Sequence, residues 1–405
     1  MKKFNKFLSV ALASAMVMAM AGCGNTDNGS AVTGTNAATE SAAASDSAAS
    51  GSVFKIGGIG PTTGGAAVYG LAVQHGAEIA VEEINAAGGI NGYQVEFKFQ
   101  DDEADAEKSV NAYNALKDWG AQIIDGSTTS GACIAVTDKT KEDNMFQITP
   151  SGSAVECVQY DNNFRVCFSD PNQGLASAQY IGENGLAEKI AVIYDSSDVY
   201  SSGIYEKFTK EAENQPFEIV AAEAFTADNK TDFSVQLQKA KDAGADMVFL
   251  PIYYQESALI LTQAAAMGYA PKWFSCDGMD GILGGVDNFD VSLTEGVMLL
   301  TPFAADATDD LTQSFVTKYK EKYGETPNQF AADSYDAIYV IKAAIEKSGV
   351  TPDMSVSDIC DGMKAAMTEI TVDGLTGSGM TWTADGEANK APKAVVIENG
   401  AYKAM

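Results

Sequence analysis

The chain is poor in the residues that most catalytic and metal-binding chemistry requires. It has one histidine, His75, and one arginine, Arg165, in 405 residues. A Ser–His–Asp relay therefore has a single base available, and no GxSxG element presents a nucleophile. Six cysteines are present, yet no CxxC spacing or Cys/His grouping occurs, which argues against zinc. Positive charge is scarce too: 26 Lys and Arg stand against 55 Asp and Glu, for a net charge of −29. That balance argues against nucleic acid and against direct adhesion to anionic lipid. Beyond the first two dozen residues, no apolar run is long enough to cross a bilayer.

The one long apolar run is residues 7–21, about 15 residues, preceded by Lys2, Lys3 and Lys6. This reads as a secretion signal over residues 1–22. The run closes on Met20-Ala21-Gly22-Cys23, which resembles a bacterial lipobox, with Met20 where leucine is usual. The resemblance implies lipidation of Cys23 and anchoring to the outer face of the cell membrane. Residues 24–52 are almost wholly Gly, Ser, Ala, Thr and Asn with a few acids, too little apolar surface to repay ordering, so residues 23–52 read as a lipidated cysteine and flexible tether. Loss of the three lysines with the signal takes the charge from −29 to −32.

The folded body is organised around residues 53–102. A short apolar strand (Phe54, Ile56, Ile59) runs into a turn-rich loop with Gly60, Pro61, Gly64 and Gly65. Val73, Ala77, Ala80, Val81 and Ile84 then fall on one helical face, Gly88 and Gly89 end the helix, and Val95, Phe97 and Phe99 alternate as a strand should. This is a βαβ unit, with its glycine loop at the carboxyl edge of a parallel sheet, where open α/β sheets bind ligands. The loop completes neither GxGxxG nor GxxxxGK[ST], so nucleotide binding is not indicated. Asp101 and Asp102, at the strand end, read as loop-fixing residues, and His75 as a helix-packing one.

Strands and helices continue to alternate. Small-residue loops rich in hydroxyls follow the strands near residues 121–125 and 145–148, and a second alternating set begins near Pro171. Roughly 350 residues of such pattern imply two domains. Three late helices, after the second set, are expected to return to the first lobe and so to create a hinge. Cys157 and Cys167 flank a turn-like segment, and their spacing leaves open a disulfide or two free buried thiols.

Several motifs together resemble one family. They are Ile56-Gly-Gly-Ile-Gly-Pro-Thr-Thr-Gly64, Ala80-Val-Glu-Glu-Ile-Asn-Ala-Ala-Gly-Gly-Ile-Asn-Gly92, Phe164-Arg-Val-Cys-Phe-Ser-Asp170, Asp232-Phe-Ser234, Tyr335-Asp-Ala337 and Leu375-Thr-Gly377. In this order they are similar to branched-chain amino acid binding proteins of ABC transporters. The resemblance implies a type I periplasmic-binding fold, α/β, of two doubly wound parallel-sheet lobes joined by a three-strand hinge. Lobe 1 would comprise residues 53–171 plus 301–379, and lobe 2 residues 172–300 plus 380–405. It implies no catalysis and no cofactor. The expected partners are a small apolar amino acid, an ABC permease with its ATPase, and the membrane through the lipid anchor alone, with the protein a monomer.

By the same resemblance Ser130, Ser151 and Ser153 would hold the amino acid's carboxylate and Asp277 its ammonium, while Tyr69, Tyr200 and Tyr253 would form pocket walls. Relatives often carry glutamate at the position of Asp277, which makes this side chain the shorter one. The residues support the picture independently. Arg165 sits in a strand pattern, so an arginine clamp on a carboxylate requires it to face the cleft; otherwise uncharged donors in serine-rich loops, some at helix N-termini, can hold the carboxylate, and a zwitterion also needs an acid. Ser130, Ser151, Ser153 and Asp277 could alternatively serve as turn or cap residues. Readings with other outputs are a ligand sensor that engages a receptor, the same fold taking an amide or aromatic acid, and an exported hydrolase dependent on His75.

Overall fold

The computed structural model describes residues 51–405. Residues 1–50, where the sequence leads one to expect a secretion signal, a lipidated Cys23 and a tether, lie outside the described residues. Two sheets organise the rest.

The first sheet is built from β1 (Phe54–Gly60), β2 (Val95–Asp101), β3 (Ile123–Asp125), β4 (Phe146–Thr149) and β5 (Asn163–Arg165), in the order β2-β1-β3-β4-β5. All its pairings are parallel, as the helical crossovers α1 (Ala67–Ala86), α2 (Ala106–Trp119) and α3 (Ser130–Asp143) require. The strand β5 extends the four strands expected from sequence. It is three residues long and contains Arg165, which the sequence already places in a strand pattern.

The second sheet follows α4 (Asp170–Glu183). It contains β6 (Lys189–Asp195), β7 (Glu218–Phe225), β8 (Met247–Leu250), β9 (Lys272–Ser275) and β10 (Met298–Thr301), which run parallel, with crossovers α5 (Val199–Ala212), α6 (Ser234–Asp242) and α7 (Tyr254–Ala266). Two C-terminal strands, β11 (Lys393–Glu398) and β12 (Ala401–Ala404), add antiparallel at the β10 edge. Residues 380–382 form only isolated bridges, Met380 with Val372 and Trp382 with Ala388.

After β10 the chain returns to the first half as α8 (Asp310–Tyr323), α9 (Gln329–Ser348) and α10 (Val356–Met367). The helix α9 lies against α1 so closely that a Cβ at Gly76 would sit 2.0 Å from the Ala331 carbonyl oxygen. Val73, Ala77, Ile84, Ile338 and Ile341 are fully enclosed around this contact, each large aliphatic side chain contributing about 1.5–3 kcal/mol. The chain thus passes between the halves three times: after β5, after β10 and before β11. At these crossings Lys390 Nζ lies 2.5 Å from Asp333 Oδ1 and also donates to Thr376 Oγ1 and the Val166 carbonyl. Both charged side chains are at most 2% exposed, so the pair is sealed from water.

Among the described residues, no helix is long and apolar enough to cross a membrane.

Candidate functional site

The carboxyl edges of the two sheets face one another, and loops from both line a shared space of ≈ 20 Å³. That is room for about one water, far below the roughly 300 Å³ at which small-molecule sites begin, so the walls must part to admit a solute.

On the first side, the loop after β1 is held by Asp101, whose carboxylate accepts the Thr62 N–H at 2.8 Å and the Thr63 hydroxyl at 2.5 Å. These bonds keep its carboxyl below the usual range despite some burial. Pinned in this way, the loop delivers Tyr69 on the first turn of α1. The Tyr69 hydroxyl donates to the Gly278 carbonyl and accepts the Tyr254 N–H at 3.2 Å, so this side chain reaches across to the opposite half. Its ring packs edge-on to Tyr253 and Tyr254 and lies 4.4 Å from Phe330.

Ser130 opens α3, where unpaired backbone N–H groups and the helix dipole favour an anion. Its Oγ accepts the N–H groups of Ser153 and Ala154, both at 3.1 Å, which leaves its own proton free to donate. Ser151 Oγ donates to the Thr128 carbonyl at 2.5 Å. Thr129, missed in the sequence, lines the same space with a buried Oγ1 that has no partner. Behind this loop stands Arg165, fully buried, donating through Nη1 to the carbonyls of Gly152 and Ser153 and through Nη2 to those of Ala154 and Val155. The one arginine is therefore a brace and faces away from the space.

The opposite wall carries Asp277, in a short 3-10 turn after β9. Its Oδ1 accepts the Tyr200 hydroxyl at 2.7 Å, and its N–H donates to Gln173 Oε1 at 3.2 Å. Burial outweighs these bonds and raises its carboxyl to about 7. Tyr200 in turn accepts the Gly278 N–H at 2.9 Å and stacks on Tyr253, ring centroids 5.0 Å apart. Gly278 has no room for a side chain: a Cβ would fall 2.6 Å from the Tyr200 hydroxyl. Asp170, at the start of α4, is also buried, and that burial, with the Asp277 charge adding to it, pushes its carboxyl well above the ordinary range.

All seven residues singled out from sequence, Tyr69, Ser130, Ser151, Ser153, Tyr200, Tyr253 and Asp277, line this one space. Tyr253 and Tyr254 are adjacent in sequence but part in direction. They begin α7, with Tyr253 at its cap, half-buried on the space, and Tyr254 packed into the core. Gln173 and Phe330 were not legible, because each arrives from a helix remote in sequence.

The pairing of Cys157 with Cys167 does not form; both are free thiols, as are Cys133, Cys276 and Cys360. Cys157, in the turn Val155–Val158, directs its sulfur to the Ser130 carbonyl at 3.7 Å and packs with Cys133, whereas Cys167 lies beyond β5 near Arg165. His75 stacks on Tyr323 at 3.6 Å between helices α1 and α8, away from the space. Its burial lowers its affinity for a proton.

The sequence profile of the periplasmic binding protein family matches residues 53–401. A Leu/Ile/Val-binding protein homolog of Brucella melitensis is 31% identical over 300 residues, spanning 74% of this chain and 80% of its own. A Pseudomonas aeruginosa protein named for binding leucine, isoleucine, valine, threonine and alanine is 30% identical over 303 residues, 73% of this chain and 79% of its own. Among solved structures, that of the branched-chain amino acid transporter substrate binding protein LivJ from Streptococcus pneumoniae, in complex with isoleucine, superposes with a TM-score of 0.78. It is 29% identical and covers 87% of this chain and 98% of its own.

Proposed function

The chain belongs to the periplasmic binding protein family, a family of solute-binding proteins and not of enzymes, and from that premise we propose that it captures a small apolar amino acid of the branched-chain kind between its two halves and delivers it to an ABC permease. The observation that carries this reading is the polarity of one small space. Uncharged donors at the start of α3 stand on one side, Asp277 on the other, and four aromatic rings between.

With the walls parted, a zwitterion matches that arrangement end to end. Its carboxylate takes the Ser130 hydroxyl, the N-terminus of α3 and the Ser151–Ser153 loop; its ammonium takes Asp277; its apolar side chain meets Tyr69, Tyr200, Tyr253 and Phe330. Contacts from both halves favour the closed form over the open one, and the closed form is what a permease recognises. The two halves would comprise residues 53–171 plus 301–379 and 172–300 plus 393–405, with residues 380–392 held against Arg165 and Val372 of the first half before the chain crosses into β11. Cys23, lipidated, would hold the monomer at the outer face of the membrane.

Titration calorimetry of the processed protein with each of the amino acids tests the ligand class. Leucine, isoleucine or valine should bind tightest; silence toward every amino acid overturns the reading. A mass spectrum of small molecules released on denaturing the purified protein identifies the ligand directly.

A further inference from the structure

Back to back with the cleft lies a second, larger groove of ≈ 510 Å³. Its apolar wall is made by Val68 and Leu71 of α1, Leu283 of the loop after β9, and Phe303 of the crossing after β10. Leu71 is 38% exposed, so apolar surface is already open to water there. The charges lining it are Asp280, Asp306 and Glu325 against Lys320, with Lys403 3.8 Å from Asp306; the balance stays acidic and favours a cation. At its floor Asp280 is 4% exposed. Its Oδ2 accepts the Gln329 N–H at 2.9 Å, while Oδ1 meets no donor in hydrogen-bond geometry, although the Tyr402 hydroxyl stands beside the carboxyl. A carboxylate this deep, with one oxygen supported only by the Tyr402 hydroxyl, is costly to ionise, and an ammonium group in the groove above it would offset part of that cost. Burial also raises the Asp280 carboxyl, which a cation would reverse.

The groove and the cleft share structure. Gln329 donates its N–H to Asp280 and its side-chain amide to the Asp277 carbonyl, and Phe330, next in the chain, lines the cleft. The groove's walls come from both halves, and they meet where a Cβ on Gly281 or Gly285 would fall 2.7 or 2.6 Å from Val68.

We propose that this groove is a second binding site, for a primary amine carrying an apolar body of a few carbons, and that its occupancy alters the affinity of the cleft. The site itself stands on the groove; the coupling rests on the amino acid reading given above.

The test titrates n-hexylammonium into the processed protein by calorimetry, with hexanoate and 1-hexanol in parallel. Hexylammonium should bind at least about tenfold more tightly than either, and Asp280→Asn should weaken it about tenfold. Because Asp280 is buried, Leu71→Lys serves as an independent variant; it leaves the core intact, places a like charge in the groove and should weaken binding as much. Absence of heat at about 10 mM hexylammonium, equal binding of hexanoate, or indifference to both substitutions overturns the site. Isoleucine affinity should shift at least about threefold when hexylammonium is saturating, and an unchanged value overturns the coupling. If no amino acid binds the cleft while hexylammonium still obeys the variants, the cleft reading fails and the groove stands.

Discussion

Replacing Asp277 by asparagine should make the empty protein more stable and the cleft nearly useless. Burial lifts this carboxyl from 3.8 to about 7 in the folded chain. A carboxyl so raised favours folding fully below about pH 4, and that contribution is lost as pH rises toward 7. About three pH units at about 1.4 kcal/mol each put the cost near 4 kcal/mol at pH 8, an upper bound. Asparagine keeps an acceptor for the Tyr200 hydroxyl, which now lies 2.7 Å from Asp277 Oδ1, and has no charge to desolvate. Thermal unfolding of Asp277→Asn at pH 8 should therefore rise by several degrees, with the difference fading by about pH 4. Binding moves the other way. The ligand's ammonium loses a buried anionic partner, a loss of about 2–5 kcal/mol, or roughly thirty- to several-thousandfold in Kd. In the native protein, affinity should fall about tenfold per pH unit below about 7, as the carboxyl takes up its proton. Scanning calorimetry of the ligand-free protein at both pH values, with titration calorimetry at pH 8, reads all of this. A lower unfolding temperature for the variant at pH 8, or a Kd within about threefold of native, would refute the reasoning.

Other substitutions probe the supports of the site. Arg165→Met leaves four loop carbonyls without their donor in a sealed setting; it should cost about 3–5 kcal/mol in urea unfolding, and an unchanged midpoint would remove the arginine's bracing role. Gly278→Ala places a methyl group 2.6 Å from the Tyr200 hydroxyl and 3.0 Å from the Ile252 carbonyl; amino acid affinity should drop about tenfold or more as Tyr200 is forced off Asp277, and calorimetry showing native affinity would contradict that geometry. Alkylation of the unreduced, denatured protein should label Cys133, Cys157, Cys167, Cys276 and Cys360 alike; protection of any pair would show a disulfide where free thiols are found here.

The first βαβ unit was legible because two periodicities announce it, the helical face of Val73, Ala77 and Ile84 and the alternation of Val95, Phe97 and Phe99, with Gly88 and Gly89 at positive φ between them. The short strands were harder to read. Asn163–Arg165 is polar for reasons that lie elsewhere, since Arg165 serves a loop ten to thirteen residues away in sequence. The C-terminal strand Ala401–Ala404 is exposed along most of its length and carries no apolar signature. The seven site residues were picked out by resemblance to one family, and each stands in a loop beyond a strand or on the first turn of a following helix, where the topology gathers them. Thr129, beside Ser130, was within reach of the same argument. Gln173 and Phe330 were not, because their contribution depends on how α4 and α9 are placed against the sheets, and that is settled by long-range packing.

Arg165 has an influence that its position conceals. Its guanidinium draws on the carbonyls of Gly152 and Ser153, and the peptides that carry those oxygens supply the two N–H groups bonded to Ser130 Oγ. Each link polarises the next in a setting shielded from water, so the positive charge arrives at the serine as a sharper hydroxyl proton. A formally neutral pole can thus behave as a dilute cation, its charge stored one layer back, where it attracts an anion without ever forming a salt bridge that would have to be broken to let the anion go.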